Sequence, residues 1–377
     1  MTARTLAAAG ACAMLVPVLS AIPPSPRRAS SPPRAFGSTV EAQAADADLP
    51  VRSTRIERRD GSQGLPAAVA AIQRADAGPL WIAWSVPAVT GREERHTRWG
   101  DRDPGRCVLD DDGEIRQAYG TNGDTRRLVL VVRSQASRLT RVAFTDQRCT
   151  VDAGSRPVYW LSGVAPAQSV NLIAGLIRDQ QPAASGASGK HEMRSHAVPA
   201  LALQGDPAAD VALAEFVRAG QPLQLRKDAA FWLGAARGPS GAAVVDRLAR
   251  SDTDDEFREH LTFVLTLNDG GVETLLELAK RDPHPKVRGQ ALFWLGQKAG
   301  QRAVAALEGA VVDDPDRDVR KKAVFALSQL PKDEGVPRLI TVARTHRDPE
   351  VRKQAMFWLG QSGDERAVAF FEEVLSR

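Results

Sequence analysis

An arginine returns along the second half of this 377-residue chain at nearly constant intervals. Arg194, Arg226, Arg258, Arg288, Arg320 and Arg352 are separated by 32, 32, 30, 32 and 32 residues. Recurrence at such a period means that one small supersecondary unit is copied along the chain. A unit that size cannot bury a core alone, so the stack of units is the fold. Other positions keep the same step. Five residues after the last five arginines stand Phe231, Phe263, Phe293, Phe325 and Phe357, and two residues further stand Leu233, Leu265, Leu295, Leu327 and Leu359. Leu225, Phe257, Val287, Val319 and Val351 come just before the arginines, and the string FWLG occurs at 231–234, 293–296 and 357–360.

The physics of one unit follows from these positions. In Val287 to Leu295 the apolar residues 287, 291, 292, 293, 294 and 295 cover more of a helix than one amphipathic face, so this helix is packed on several sides. Trp232, Trp294 and Trp358 lie inside the same apolar strings and are expected in the core, an exposed aromatic stripe for a partner being the alternative. Asp282-Pro283, Asp314-Pro315 and Asp348-Pro349 precede the first helix of their units, where a carboxylate and a proline suit free N–H groups. Gly296 and Gly360 are expected to end it. A second helix with a narrower apolar face is expected at 272–279, 304–311, 336–343 and 367–375.

The Asp-Pro, Val-Arg and Ala-x-x-x-Leu-Gly cues resemble HEAT repeats, specifically the short bacterial type seen in phycobilin-lyase-like proteins. The resemblance covers residues 190–377. It implies an all-α superhelix of about six hairpins, with a protein-binding role more common than catalysis. It also implies a ladder of loop aspartates and helix arginines between neighbouring units, here Asp282, Asp314 and Asp348 with Arg226, Arg258, Arg288, Arg320 and Arg352. The first unit has Pro199 at the Phe position and reads as a degenerate cap.

The first half is organised differently. A basic start, an apolar run from Leu6 to Ile22 and a polar break form a secretory signal over 1–22, with cleavage after Ser20 or Ala21 or as late as Ala44. An uncleaved anchor is the alternative, against which Pro17 and the shortness of the run weigh. Residues 23–50 lack periodicity and read as a disordered lead-in, and 181–189 (QPAASGASG) as a linker. Between them, 51–180 reads as an α+β module of unrecognised family. Strands are expected at 79–86, 128–133, 139–145 and around 149–151 and 157–161, with a closing helix at 167–178. Cys107 and Cys149 remain once the leader is removed, an even number in an exported protein, and a disulfide is expected between them. Two buried free thiols are the alternative.

The net charge of +4 is spread as +3 over 1–44, +2 over 45–180 and −1 over 181–377, so neither folded region carries the basic stripe that nucleic acid requires. His191-Glu192 with His196 fails as a zinc motif, because histidines five apart do not share a helix face. Glu259-His260 reverses the order of the His-Glu pairs used by di-iron hydroxylases of this fold. Asp110 to Glu114 lacks the alternating ligands of a calcium loop. No catalytic, cofactor or metal site is expected. A partner is expected on the second helices, where Glu273, Glu277, Arg302, Glu308, Arg338, Arg344, Arg366 and Glu372 are candidates. These readings describe an exported, non-catalytic HEAT-repeat scaffold for another protein. One alternative is an enzyme or small-ligand module, with His96, Asp101, Asp103 and Tyr119 as its loose candidates and the array presenting its substrate. A bilin-lyase-like chaperone is a second, and it conflicts with export.

Overall fold

The computed structural model describes residues 49–89, 106–109, 115–116, 127–146, 150–179, 196–268, 270–298 and 300–376, with the backbone alone for 106–108, 115–116 and 146. Cys149, the side chain of Cys107, the leader and lead-in to residue 48, the linker, His191-Glu192, the Asp110 to Glu114 run and His96, Asp101, Asp103 and Tyr119 lie outside the described residues.

The first region is layered about a mixed sheet in the order β2 (Ile56–Asp60), β9 (Val158–Ser162), β3 (Leu80–Pro87), β6 (Arg127–Gln135), β7 (Arg138–Asp146). β9 runs parallel to both β2 and β3, while β6 is antiparallel to β3 and β7. β3 is apolar at nearly every position because both of its faces are covered, as strand alternation requires. Leu80, Ile82, Trp84 and Val86 join the core under α1 (Leu65–Ala75) and α2 (Pro166–Arg178). Trp81 and Ala83 turn to the opposite core with Trp160, Val51 and Val151. That second core is closed by a smaller sheet in the order β1 (Val51–Arg52), β8 (Thr150–Asp152), β4 (Arg106–Leu109), β5 (Ile115–Arg116). The buried Trp84 Nε1 donates to Ser169 Oγ at 2.8 Å and fixes α2 on the sheet.

The second region is a stack of helical hairpins. A helical stretch α3 (196–202) and α4 (Ala208–Phe216) precede five regular pairs. First helices are α5 (Leu223–Ala236), α7 (Asp255–Leu265), α9 (Pro285–Lys298), α11 (Arg317–Ser328) and α13 (Pro349–Ser362). Second helices are α6 (Gly238–Ser251), α8 (Gly271–Arg281), α10 (Gln301–Asp313), α12 (Lys332–Thr345) and α14 (Glu365–Leu375). Each first helix packs on the next one, α5 on α7, α7 on α9, α9 on α11 and α11 on α13, and each is also packed by second helices. Contact on several sides is why strings such as Val287 to Leu295 are apolar over more than one face.

Two local expectations need correction. Gly296 and Gly360 do not end their helices, since α9 continues to Lys298 and α13 to Ser362. Gly296 instead allows close approach: a Cβ there would stand 2.9 Å from the Ala326 carbonyl oxygen of α11. Gly234 plays the same part between α5 and α7, where a Cβ would meet Val264 Cγ1 at 2.5 Å. The stop falls at Gly363, whose φ of 59° is the left-handed conformation that closes helices. The Asp-Pro steps also differ in register. Asp348 is the N-cap of α13, whereas Asp282 and Asp314 are the C-cap residues of α8 and α10, two positions earlier in the repeat. N-capping in α7 and α11 falls to Asp254 and Asp316.

The two regions share one continuous apolar core, from Leu65 in α1 to Phe370 in α14. At their junction the Val89 N–H donates to the Leu203 carbonyl at 2.9 Å and the Gly205 N–H to the Pro87 carbonyl at 2.8 Å. Arg178 of α2 forms a fork with the Glu215 carboxylate of α4 at 2.9 and 2.7 Å. The buried Arg237 binds the first unit together, donating to the carbonyls of Ala202 and Gln204 and to both Asp210 oxygens at 2.7 Å. The unit with Pro199 is therefore a fitted joint as well as the start of the stack.

Candidate functional site

The repeated arginines sit in the first turns of the first helices, and what they reach is set by the next hairpin. Arg258 grips Asp282 with two bonds of 2.8 and 3.0 Å, and Arg288 grips Asp314 with 2.8 and 2.9 Å. These pairs are almost fully buried. The same guanidinium donates to a carbonyl six residues back, Asp252 for Arg258 and Asp282 for Arg288. The carboxylate hydrogen bond raises the pKa of Arg258 and Arg288 further. Arg226 joins Asp252 and Asp254, residues outside the Asp-Pro pattern, and its guanidinium lies 3.9 Å from the centre of the Phe257 ring.

The rung at Arg320 differs. His346 occupies the position that Asp282 and Asp314 hold in their repeats, and Arg320 reaches two residues further to Asp348 at 2.9 Å. His346 Nδ1 accepts the Asp348 N–H at 3.0 Å, and its Nε2 lies 2.9 Å from the Val311 carbonyl, so the neutral tautomer with the proton on Nε2 completes both bonds. Arg320, donating to Asp348, holds that carboxyl down from the usual 3.8 to about 2. Arg352 donates to the carbonyls of His346 and Arg347.

The second helices carry another ladder. Arg250 of α6 pairs with Glu277 of α8, Glu273 of α8 with Arg302 of α10, Glu308 of α10 with Arg338 of α12, and Arg344 of α12 with Glu373 of α14. Arg366 binds Asp364 and the Lys332 carbonyl. Of the residues expected to meet a partner, Glu273, Glu277, Arg302, Glu308, Arg338, Arg344 and Arg366 thus pair within the array. Glu372 gives its carbonyl to the Ser376 N–H at the end of α14. α10 and α12 part to leave a cavity of about 450 Å3 walled by Val311, Val312 and Val342.

The first-helix layer differs from the expected core burial of its tryptophans. Trp232, Trp294 and Trp358 are half-buried, lying at the edge of the core and not within it. With the repeated phenylalanines they form one run of rings. Phe231 stacks on Phe263 (6.2 Å, 13°), Phe263 meets Trp294 (5.1 Å), Phe293 stacks on Phe325 (5.9 Å, 8°), and Phe325 meets Trp358 (4.8 Å). Within a helix each Trp stands edge-on to its preceding Phe, at 5.4, 4.8 and 5.0 Å. Hairpins bearing Phe-Trp alternate with hairpins bearing Phe263-Val264 or Phe325-Ala326, so the small residue leaves room for the neighbouring indole. The indole N–H groups of Trp294 and Trp358 are buried and meet no acceptor among the described residues, so solvent sees ring surface. Phe357 at the end of the run is 53% exposed.

Other polar groups weighed in the sequence serve packing. His260 Nε2 lies 3.1 Å from the Lys227 carbonyl, and burial lowers its pKa. Among the described residues no three His, Cys, Asp or Glu side chains converge as a metal site would need, and no helix is long and apolar enough to cross a membrane.

A stack of hairpins held by buried Arg–Asp pairs is an α-solenoid, and its later hairpins match HEAT repeats. The family described as HEAT repeats matches residues 272–339 and again 310–377. Among solved structures, human deoxyhypusine hydroxylase in complex with glycerol is similar at 19% identity, over 56% of this chain and 80% of that one, with a TM-score of 0.28. A designed armadillo repeat protein in complex with the peptide (KR)4 is similar at 14% identity, over 51% and 99%, with a TM-score of 0.30. A computationally designed armadillo repeat protein for modular peptide recognition is similar at 13% identity, over 51% and 98%, with a TM-score of 0.28. No curated protein matches the chain.

Proposed function

We propose that this chain is an exported, non-catalytic scaffold whose repeat array binds another protein along its first helices. The observation that carries this reading is the partly buried run of rings from Trp232 that ends at the exposed Phe357. Contiguous apolar surface left in contact with water is costly, and aromatic side chains are enriched where proteins meet. Export rests on the leader sequence before residue 23, and a Cys107–Cys149 disulfide on the even cysteine count that remains.

Affinity capture from periplasmic extract of the native host, with the full chain as bait, tests the reading. The unaltered chain and an Arg302→Ala variant are expected to retain the same protein, and a Phe357→Ala variant about tenfold less of it, a loss equivalent to about 1.4 kcal/mol. Equal retention by all three, or retention of no protein by the unaltered chain, would show that the rings do not bind a partner.

A further inference from the structure

The run of rings is bordered by polar rails whose chemistry changes along the array. Residues four before and four after each repeated Phe share its helix face. On the earlier side these are Lys321 and Lys353 for Phe325 and Phe357. The equivalent position for Phe293 is Gly289, and Lys322 of the next hairpin fills it: a Cβ at Gly289 would meet Lys322 Cδ at 2.6 Å. None of Lys321, Lys322 and Lys353 forms an ion pair with a carboxylate among the described residues. On the later side stand Gln297, Gln329 and Gln361, and Gln297 Nε2 donates to Gln329 Oε1 at 3.2 Å. The first two hairpins differ, with Lys227 paired to Glu256 at 2.7 Å and Glu259 at the equivalent place before Phe263. Unpaired positive charge is therefore gathered beside the rings of α9, α11 and α13.

We propose that this stretch takes an extended acidic segment of a partner protein, with apolar side chains on the rings, carboxylates on the lysines and backbone amides on the glutamines. The proposal rests on the first-helix layer being the partner surface and adds the chemistry of what binds there. The three helices set the size. Adjacent helices pack about 8–10 Å apart, and an extended chain covers about 9–10 Å in three residues. One apolar residue in three, with acidic residues between, brings a ring contact and a lysine within reach at each helix. Single-stranded nucleic acid also stacks on rings, but it needs a positively charged groove that follows its backbone along the whole run. The carboxylates of Glu256 and Glu259 beside the first rings oppose it. The chain's own residues 1–44 carry net positive charge, which the lysine rail repels.

Fluorescence anisotropy of the full chain with three labelled probes tests this. The probes are the peptide Leu-Glu-Asp-Phe-Glu-Asp-Leu-Glu-Asp-Phe, the same peptide with lysine for every acid, and a ten-nucleotide oligothymidine. The acidic peptide is expected to bind at least about tenfold tighter than the other two, equivalent to about 1.4 kcal/mol. Added salt should weaken it. Lys321→Glu with Lys353→Glu, both surface changes, should cost about tenfold or more, as should Phe357→Ala, while Arg302→Ala leaves affinity unchanged. No binding of the acidic peptide, equal or better binding of the lysine peptide or oligothymidine, or indifference to the lysine changes would overturn the proposal. If the rings retain a host protein but the acidic probe fails, the scaffold reading stands and only this partner chemistry falls. If neither binds, both fall.

Discussion

The two helical layers of the array repeat with the same period and are tied together in different ways. Along the first helices the ties are buried: bidentate Arg258–Asp282 and Arg288–Asp314 pairs that run from a first helix to the loop leading into the next one, glycines that let backbones approach, and stacked rings. Between second helices they are more exposed ion pairs such as Arg302–Glu273, and a cavity lies between α10 and α12. A buried pair is geometrically exact because neither charge can turn to water, whereas an exposed pair contributes little. The first layer therefore sets the spacing of the stack and holds its ring surface in register.

The largest test of that contrast is to remove one side of a buried rung. Arg288→Ala leaves the Asp314 carboxylate buried and unpaired and should destabilise the chain by about 3–5 kcal/mol in urea unfolding. A loss below about 1 kcal/mol, the size of an exposed pair, would erase the distinction between layers. Gly296→Ala forces a Cβ against the α11 backbone and should cost about 1–3 kcal/mol. Gly360→Ala, with nothing within 4 Å of its Cβ, should instead stabilise by about 0.5–1 kcal/mol. Matching signs for the two would contradict the close-approach role.

Acid titration sharpens the rung at Arg320. The Asp348 pKa is lowered from 3.8 to about 2 on folding, so its contribution is full above about pH 5 and is lost as pH falls through 2. Asp348→Asn should flatten the stability profile between about pH 5 and 2. An unchanged slope would mean that the pair does not form. The smallest effect is expected in the second layer, where Arg302→Ala should cost at most about 1 kcal/mol.

The period, the hairpins and β3, β6, β7, β8 and β9 of the first region were legible because each follows from a pattern of apolar residues that has one physical solution, whereas β1, β2, β4 and β5, short or polar, were not. Val287, Ala291, Leu292 and Leu295 are all buried. What was harder to read had two solutions of equal local quality. A glycine late in a helix serves either a stop or a close crossing, and only the neighbouring helix decides for Gly296. A tryptophan in an apolar string is core or edge, and the tryptophans lie at the edge because the layer ends there. The alternation of Phe-Trp with Phe-Val and Phe-Ala was the available signal. Asp252 went unnoticed because no proline follows it, and His346 because it replaces a carboxylate by a different acceptor. Helix α1, rich in alanine, lacked the strong periodicity that marks the repeats.

The partner surface is tested most directly by placing a photo-cross-linking benzoylphenylalanine at Gln329, beside the rings, and separately at Thr341, on the second-helix side, in the full chain within its native host. Adducts to one partner protein from position 329, absent from 341 and lost with Phe357→Ala, are expected. Adducts from 341 with none from 329 would contradict the assignment of the partner to the first-helix layer.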